Sequence, residues 1–371
     1  MPERLVTVLL GGDVMTGRGV DQILAHPGDP RLWERHVRDA RTYVELAEAV
    51  NGPIPLPVDA AWPWGDALPL LDDIAPDARV INLETSVTCC DEPDPIKGVH
   101  YRMAPANIAC LTAIRPDACA LANNHVLDFG LPGLAETLNS LVAAEIPAVG
   151  AGRDADLAKR STMVPVAGGG RVVVFSFGTR SSGIPRYWAA TADRAGVNLL
   201  PELSDAVARA VAGQVQQVKR PGDLVVASIH WGSNWGYEVT ADQVTFAHRL
   251  IDGGVDVVHG HSSHHPRPIE VHHGKLILYG CGDLIDDYEG IRGYEEYRDD
   301  LRLLYFASVD QDTGRLVRLR MAPMQARRMR LHHATPADAE HLRGALGRIS
   351  RPFGLQVTHA DGMLHLQSVQ P

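Results

Sequence analysis

Apolar residues come in short runs that stop abruptly at polar ones. Leu5–Leu10 is apolar except for Thr7 and gives way to Gly11-Gly12-Asp13. Arg79–Leu83 ends at Glu84, Asp117–Ala122 at Asn123-Asn124-His125, Leu224–Ile229 at His230, and Val255–Val258 leads to His261 and His264. Runs of this length without alternation predict strands covered on both faces. Between them, apolar residues at helical spacing predict helices over Leu131–Glu145, Glu202–Val218 and Thr240–Asp252. In the last of these, Thr240 and Gln243 make a capping box. Arg31–Val50 and Ala106–Ile114 also read as helical, and Asn51–Pro69, rich in Pro and Trp, as an irregular excursion.

Turn residues mark hairpins. Val164–Val166 and Arg171–Phe177 flank three glycines, and Ile269–Val271 and Leu276–Tyr279 flank His273-Gly274. Leu301–Ser308 and Leu316–Met321 follow as strands, then a helix from Thr335-Pro336 and a hairpin over Leu355–Leu366 turning at Asp361-Gly362. Alternating strands and helices predict an α/β protein. The hairpins predict mixed sheets, two of them packed face to face with helices outside. Residues 1–330 read as one domain and 331–371 as a C-terminal helix and hairpin extension.

Five strand ends carrying Asp13, Glu84, Asn124-His125, His230, and His261 with His264 change the picture from architecture to chemistry. In open α/β folds, ligands bind beyond the carboxyl ends of the strands. Carboxylate, amide and imidazole without thiolate form a donor set suited to manganese, zinc or iron, and a carboxylate such as Glu84 can bridge two cations. Further histidines are less telling. His259 lies within a strand and reads as packed, His265 competes with His264, and His272 and His273 at a hairpin read as exposed.

Composition narrows the function classes. The 371 residues carry a formal net charge of −10, which argues against general nucleic-acid binding. Five cysteines, none in a C-x-x-C pair, argue against a disulfide framework and a thiolate zinc site, and Cys281 reads as a buried inert thiol. Neither a signal h-region nor a membrane-length apolar segment is present, so a cytoplasmic protein is expected. No G-x-S-x-G elbow or P-loop occurs, which disfavours a serine hydrolase or a P-loop nucleotide binder. Arg18, Arg102, Arg180, Arg186 and Arg267 lie in loops near the strand ends, where guanidinium would bind an anionic substrate. Trp231, Trp235 and Tyr237 read equally as cleft lining or as packing. Asp283, Asp286 and Asp287 read as a solvated acidic loop.

Gly12-Asp13-Val14-Met15, Asn82-Leu83-Glu84, Ala122-Asn123-Asn124-His125 with Asp128 and Gly130, His230-Trp231-Gly232, and Gly260-His261-Ser262-Ser263-His264 together resemble the CapA (poly-γ-glutamate capsule biosynthesis) family of the calcineurin-like metallophosphatase superfamily. The resemblance spans roughly Leu5 to Ile291. It implies a metallophosphatase-like sandwich of mixed sheets flanked by helices. It also implies one or two divalent ions, manganese or zinc first and iron next. Asp13 and His264 would hold one ion, Asn124, His230 and His261 the other, and Glu84 would bridge them. His125, oriented by Asp128, would protonate the leaving group. Met15 departs from the superfamily's Asp-x-His and leaves a mononuclear site open.

The implied activity is a metal-dependent hydrolase acting through a metal-bound hydroxide on an anionic γ-glutamyl or peptide-like amide. The same reaction could run towards bond formation in polymer or natural-product biosynthesis. Arg18, Arg102, Arg180, Arg267 and Trp231 would contact the substrate. A metallophosphoesterase and a non-catalytic accessory subunit are the alternatives. The expected partner is a small anionic or peptide-like molecule, without nucleic acid or membrane, and the sequence leaves the oligomeric state open.

Overall fold

The computed structural model describes residues 4–368. Two mixed sheets stack face to face with helices on both outer sides. The wide sheet runs in the order 355–360, 363–368, 316–326, 301–310, 5–14, 78–83, 118–120, 148–149, and Asp283–Ile285 also pairs with Leu5–Val14. The narrow sheet runs 269–272, 275–278, 257–261, 224–230, 171–178, 162–165. The narrow sheet has a parallel centre and an antiparallel strand at each edge, while the wide sheet is parallel from 5–14 out to 148–149 and antiparallel on its other side.

Alternation within the apolar runs assigns each side chain to a layer. Val6, Val8, Leu10 and Val80 from the wide sheet meet Val174, Val226, Val257 and Leu278 from the narrow one, forming the central core. The intervening residues Leu9 and Ile81 face the helices Gly19–Ile23, Arg41–Asn51, Ala67–Ile74 and Gly130–Ala143. Val225, Ala227, Ile229 and Val258 face Asp205–Val218 and Ala241–Asp252. The central strands 78–83, 224–230 and 257–261 are therefore buried on both sides, which is why they read as continuously apolar.

Three local readings change. Arg31–Val50 is helical only from Arg41, because Glu34 is drawn into a buried pair with Arg18, 2.9 Å away, and takes the hydroxyl of Tyr43 as well. Ala67–Ile74 is a helix despite Pro69, which falls in its first turn, where no backbone N–H is needed. Asp283–Ile285 is a buried strand and no solvated loop. Asp283 meets His264, Asp286 pairs with Arg302, and Asp287 pairs with Arg18. The capping box at Thr240 and Gln243 is present as expected.

The region 331–371 is woven into the wide sheet as far as it is described. Leu331–His333 and Met363–Ser368 both pair with Leu316–Ala326, and Leu342, Leu346, Leu355 and Leu364 enter the central core. No helix among the described residues is long and apolar enough to cross a membrane. Burial raises the Cys281 thiol well above its ordinary range, as suits an inert core residue.

Candidate metal centre

Parallel pairing brings the polar strand ends together. Asp13 lies level with Asn82 and with Asp283, and His230 lies level with His261. Gly12 allows the tight approach between strands, since a Cβ there would sit 1.8 Å from the carbonyl of Gly282. Ser262 adopts a φ of 98°, a conformation disfavoured for a side-chain-bearing residue, and in it donates its amide to Asp13 Oδ2 at 3.0 Å.

Asp13, His230 and His261 offer donor atoms within 4.8 Å of one another, all buried. Asn82 Nδ2 donates to Asp13 Oδ1 at 2.8 Å and to Glu84 Oε2 at 3.1 Å, clamping the two carboxylates. Glu84 Oε1 lies 3.7 Å from His230 Nε2 and 3.8 Å from His125 Nε2. Asn124 Oδ1 is 2.8 Å from His230 Nε2. His264 faces the other way: its Nδ1 is 2.9 Å from Asp283 and its Nε2 2.8 Å from Asn234 Nδ2. Asp13, Glu84, Asn124, His230 and His261 thus converge, while His264 stands beside them with both nitrogens engaged. His265 is turned away, bonded to the Pro266 carbonyl and packed on Tyr297 and Tyr237.

Three buried carboxylates gathered this closely are electrostatically costly. Burial and the charge of Asp283 push Asp13 up to about 7. Burial, followed by Asp13, raises Glu84 well above its ordinary range, and burial with Asp286 does the same to Asp283. Burial holds His230 and His261 well below theirs, so both imidazoles are neutral.

A hydrogen-bond chain fixes which nitrogen of His261 is bare. The carbonyl of Gly11 can only accept, so His259 Nε2, 2.8 Å away, carries the proton. His259 Nδ1 then accepts from Ser228 Oγ at 3.1 Å, and Ser228 Oγ accepts from His261 Nε2 at 2.8 Å. His261 Nδ1 is left as a lone pair 2.8 Å from His230 Nδ1. Neutral His230 has one N–H for two close acceptors, His261 Nδ1 and Asn124 Oδ1. Either the Asn124 amide turns over or a cation takes the lone pairs. The carboxylates, which need positive charge, favour the cation. Oxygen and imidazole donors without thiolate suit a divalent transition metal, so the residues present fit one. Replacing Ser228 or His259 by alanine is expected to weaken Mn2+ or Zn2+ binding 10- to 100-fold, roughly the effect of losing a hydrogen bond that orients a ligand. Calorimetric titration beside a melting curve separates this from loss of fold.

His125 flanks the cluster. Asp128 Oδ2 takes its Nδ1 proton at 2.6 Å, and Tyr101 N holds the same carboxylate oxygen at 2.7 Å. Burial lowers His125 to about 4, outweighing the pull of Asp128. Asp128 stays ionised below the ordinary carboxylate range: burial opposes this, but His125 and Lys97 prevail. Lys97, from the loop between Val87 and Arg102, also donates to the Asn124 carbonyl. Asn82, Lys97, Ser228 and Asp283 were not among the predicted site residues. Asn82 had left one signal, a lone amide inside an apolar strand, which must find buried partners.

Most of the predicted substrate contacts are corrected, because the fold itself occupies them. Arg18 is buried between Asp287 and Glu34 and lies over Tyr43. Arg102 donates to the carbonyls of Cys90 and Asp29, and Arg267 to those of Glu238 and Ser233. Trp231 is fully buried, stacked on Tyr279 and bonded to its carbonyl. Arg180 is the exception in being exposed: it lines a cleft of about 490 Å³ together with Ser181, Gly232, Ser233 and the buried Arg267, next to the end of the His230 strand.

Comparison with known proteins adds the family context. The profile described as bacterial capsule synthesis protein PGA_cap matches residues 7–288. A probable polyglutamine synthesis accessory protein of Mycobacterium tuberculosis is 56% identical over 365 residues, covering 98% of this chain and 96% of its own length. The PGA biosynthesis protein CapA of Bacillus subtilis is 28% identical over 244 residues, 66% of this chain and 58% of its own. A solved structure from Thermus thermophilus overlaps 84% of this chain and 97% of its own at 11% identity, with a TM-score of 0.36, too loose a match to carry an argument.

Proposed function

This chain belongs to the PGA_cap bacterial capsule synthesis family, and on that premise we propose that it is a metal-dependent hydrolase of anionic γ-glutamyl or peptide-like amides, working in glutamate-polymer metabolism. The observation that supports this best is the buried convergence of Asp13, Glu84, Asn124, His230 and His261 beside the His125–Asp128 pair. Asp13, Glu84, Asn124, His230 and His261 would hold the cation, and a second ion would draw on Asp283 and His264. A divalent metal bound there supplies Lewis acidity, which polarises an electrophile and lowers the pKa of water.

The remaining work falls to the chain's own groups. Asp128 fixes His125 with its proton on Nδ1, so Nε2 faces Glu84 and is free to take a proton and return it to a departing amine. Lys97 keeps Asp128 charged and in place. Arg180, at the cleft, would attract a carboxylate of the substrate. His125→Ala is expected to lower kcat roughly 10²- to 10⁴-fold while leaving the bound metal in place. Arg180→Ala is expected to raise KM with kcat little changed, as when binding common to ground and transition states is lost.

The decisive experiment incubates the purified chain with Mn2+ or Zn2+ and either γ-glutamyl oligomers or aryl phosphate esters. Release of glutamate from the oligomers supports the amide reading. Turnover of the phosphate esters alone replaces it with a phosphoesterase. The name of the Mycobacterium tuberculosis relative favours one further reading, an accessory subunit without catalysis, which predicts metal binding and no turnover of either substrate.

A further inference from the structure

Of the two histidines at the 272–273 hairpin, His273 is exposed as expected, while His272 is half-buried against a helix. Leu276 lies level with Val257, so the hairpin turn sits at the start of the strand that ends in His261. The four steps from Val257 to His261 put it about 13 Å or more from the buried centre. Four potential ligands meet there from two elements. His248 and Asp252 are four residues apart on the last turn of the helix Ala241–Asp252 and share one face. Glu270 and His272 are two residues apart on the edge strand Ile269–His272 and also share one face.

The geometry points to a second, peripheral transition-metal site formed by His248, Asp252, Glu270 and His272, with His273 at its rim. Donor atoms of His248, Glu270 and His272 lie within 4.8 Å of one another, as do those of Asp252, His272 and His273. Asp252 Oδ1 is 3.5 Å from His272 Nε2 and 3.2 Å from His273 Nδ1. Ligands around a tetrahedral zinc ion, each about 2.1 Å from the metal, stand about 3.4 Å apart.

Three further observations concern the ligands themselves. His272 Nε2 is shielded from solvent and has no hydrogen-bond partner among the described residues. Glu270 is braced from behind by Tyr279 Oη at 2.6 Å, leaving its other oxygen on His248 Nε2 at 2.7 Å. The rings of His248 and His272 stack 3.8 Å apart at 6°, and those of His272 and His273 4.0 Å apart. The stack brings three imidazoles against Glu270 and Asp252. The negative end of the helix dipole points the same way. Imidazole with carboxylate, again without thiolate, selects a zinc-like ion. Bound there, it would pin the end of the helix to the edge hairpin.

The test counts Zn2+ bound per full-length chain by calorimetry and elemental analysis after dialysis. The parent protein is expected to bind one equivalent more than either His272→Ala or His248→Gln. An Asp13→Asn/His261→Ala variant, impaired at the buried centre, is expected to keep that equivalent. In that background, Zn2+ raises the melting temperature by several degrees, and adding His272→Ala abolishes the rise. Melting curves in EDTA confirm that each variant is folded. An equal count in the parent and in either peripheral variant overturns the site. So does loss of this equivalent in the Asp13→Asn/His261→Ala protein.

Discussion

Replacing His230 with alanine is expected to abolish metal-dependent turnover, a fall of roughly a thousandfold or more in kcat/KM, and to strip the buried cation. His230 is the hub of the cluster, touching Asn124 and His261 at 2.8 Å and Asn82 at 3.5 Å, with Glu84 at 3.7 Å. Its removal leaves Asp13 and Glu84 facing each other across a gap with one imidazole fewer to hold positive charge. The fold should survive, because His230 ends a strand whose apolar residues Val225, Val226 and Ile229 remain packed. Steady-state kinetics with added Mn2+, read beside metal content, checks this. A variant that loses the metal but keeps turning over substrate would end the metal-dependent reading.

The second large effect is on stability. Asp287→Ala is expected to cost about 3–5 kcal/mol, the usual penalty for leaving a buried charge without its partner. Arg18 and Asp287 are both almost fully shielded, and Asp287 also accepts the Gly19 amide at 2.8 Å. Glu34 and Tyr43 remain on Arg18, at 2.9 and 3.1 Å, but cannot replace the two-pronged contact that Asp287 makes. Urea unfolding should show the loss in the midpoint with the slope unchanged. A triple variant, Arg18→Met/Glu34→Gln/Asp287→Leu, should recover part of the stability, since it leaves no buried charge without a partner. Full stability in Asp287→Ala would return Arg18 to the substrate-binding group.

These two cases show what a linear reading can and cannot reach. His230, Glu84 and Asn124 were legible because each lies at or just past the end of an apolar run, and parallel strands must end side by side. The same rule placed Asp13 and His261. Arg18 and Asp287 were opaque because they are 269 positions apart. An arginine in a loop and an acid in an acidic run each look solvated until the fold closes. Asp283 suffered the same fate, its partner His264 lying across a loop. Arg267 and Arg102 misled differently. Their partners are backbone carbonyls, which every residue has and no motif announces. The motif places His264 beside the cluster, but the amide of Asn234 that occupies its second nitrogen carries no sequence signal.

The final hairpin shields more than its own residues. Leu316–Ala326 is flanked by Leu301–Asp310 on one side and by Met363–Ser368 and Leu331–His333 on the other. Shortening the gene at codon 330 would leave the metal ligands untouched, yet it would bare a row of backbone amides together with Leu319 and Met321. Such a rim adheres to its own kind. The truncated product would therefore be lost to inclusion bodies, with its chemistry intact in principle and unreachable in practice.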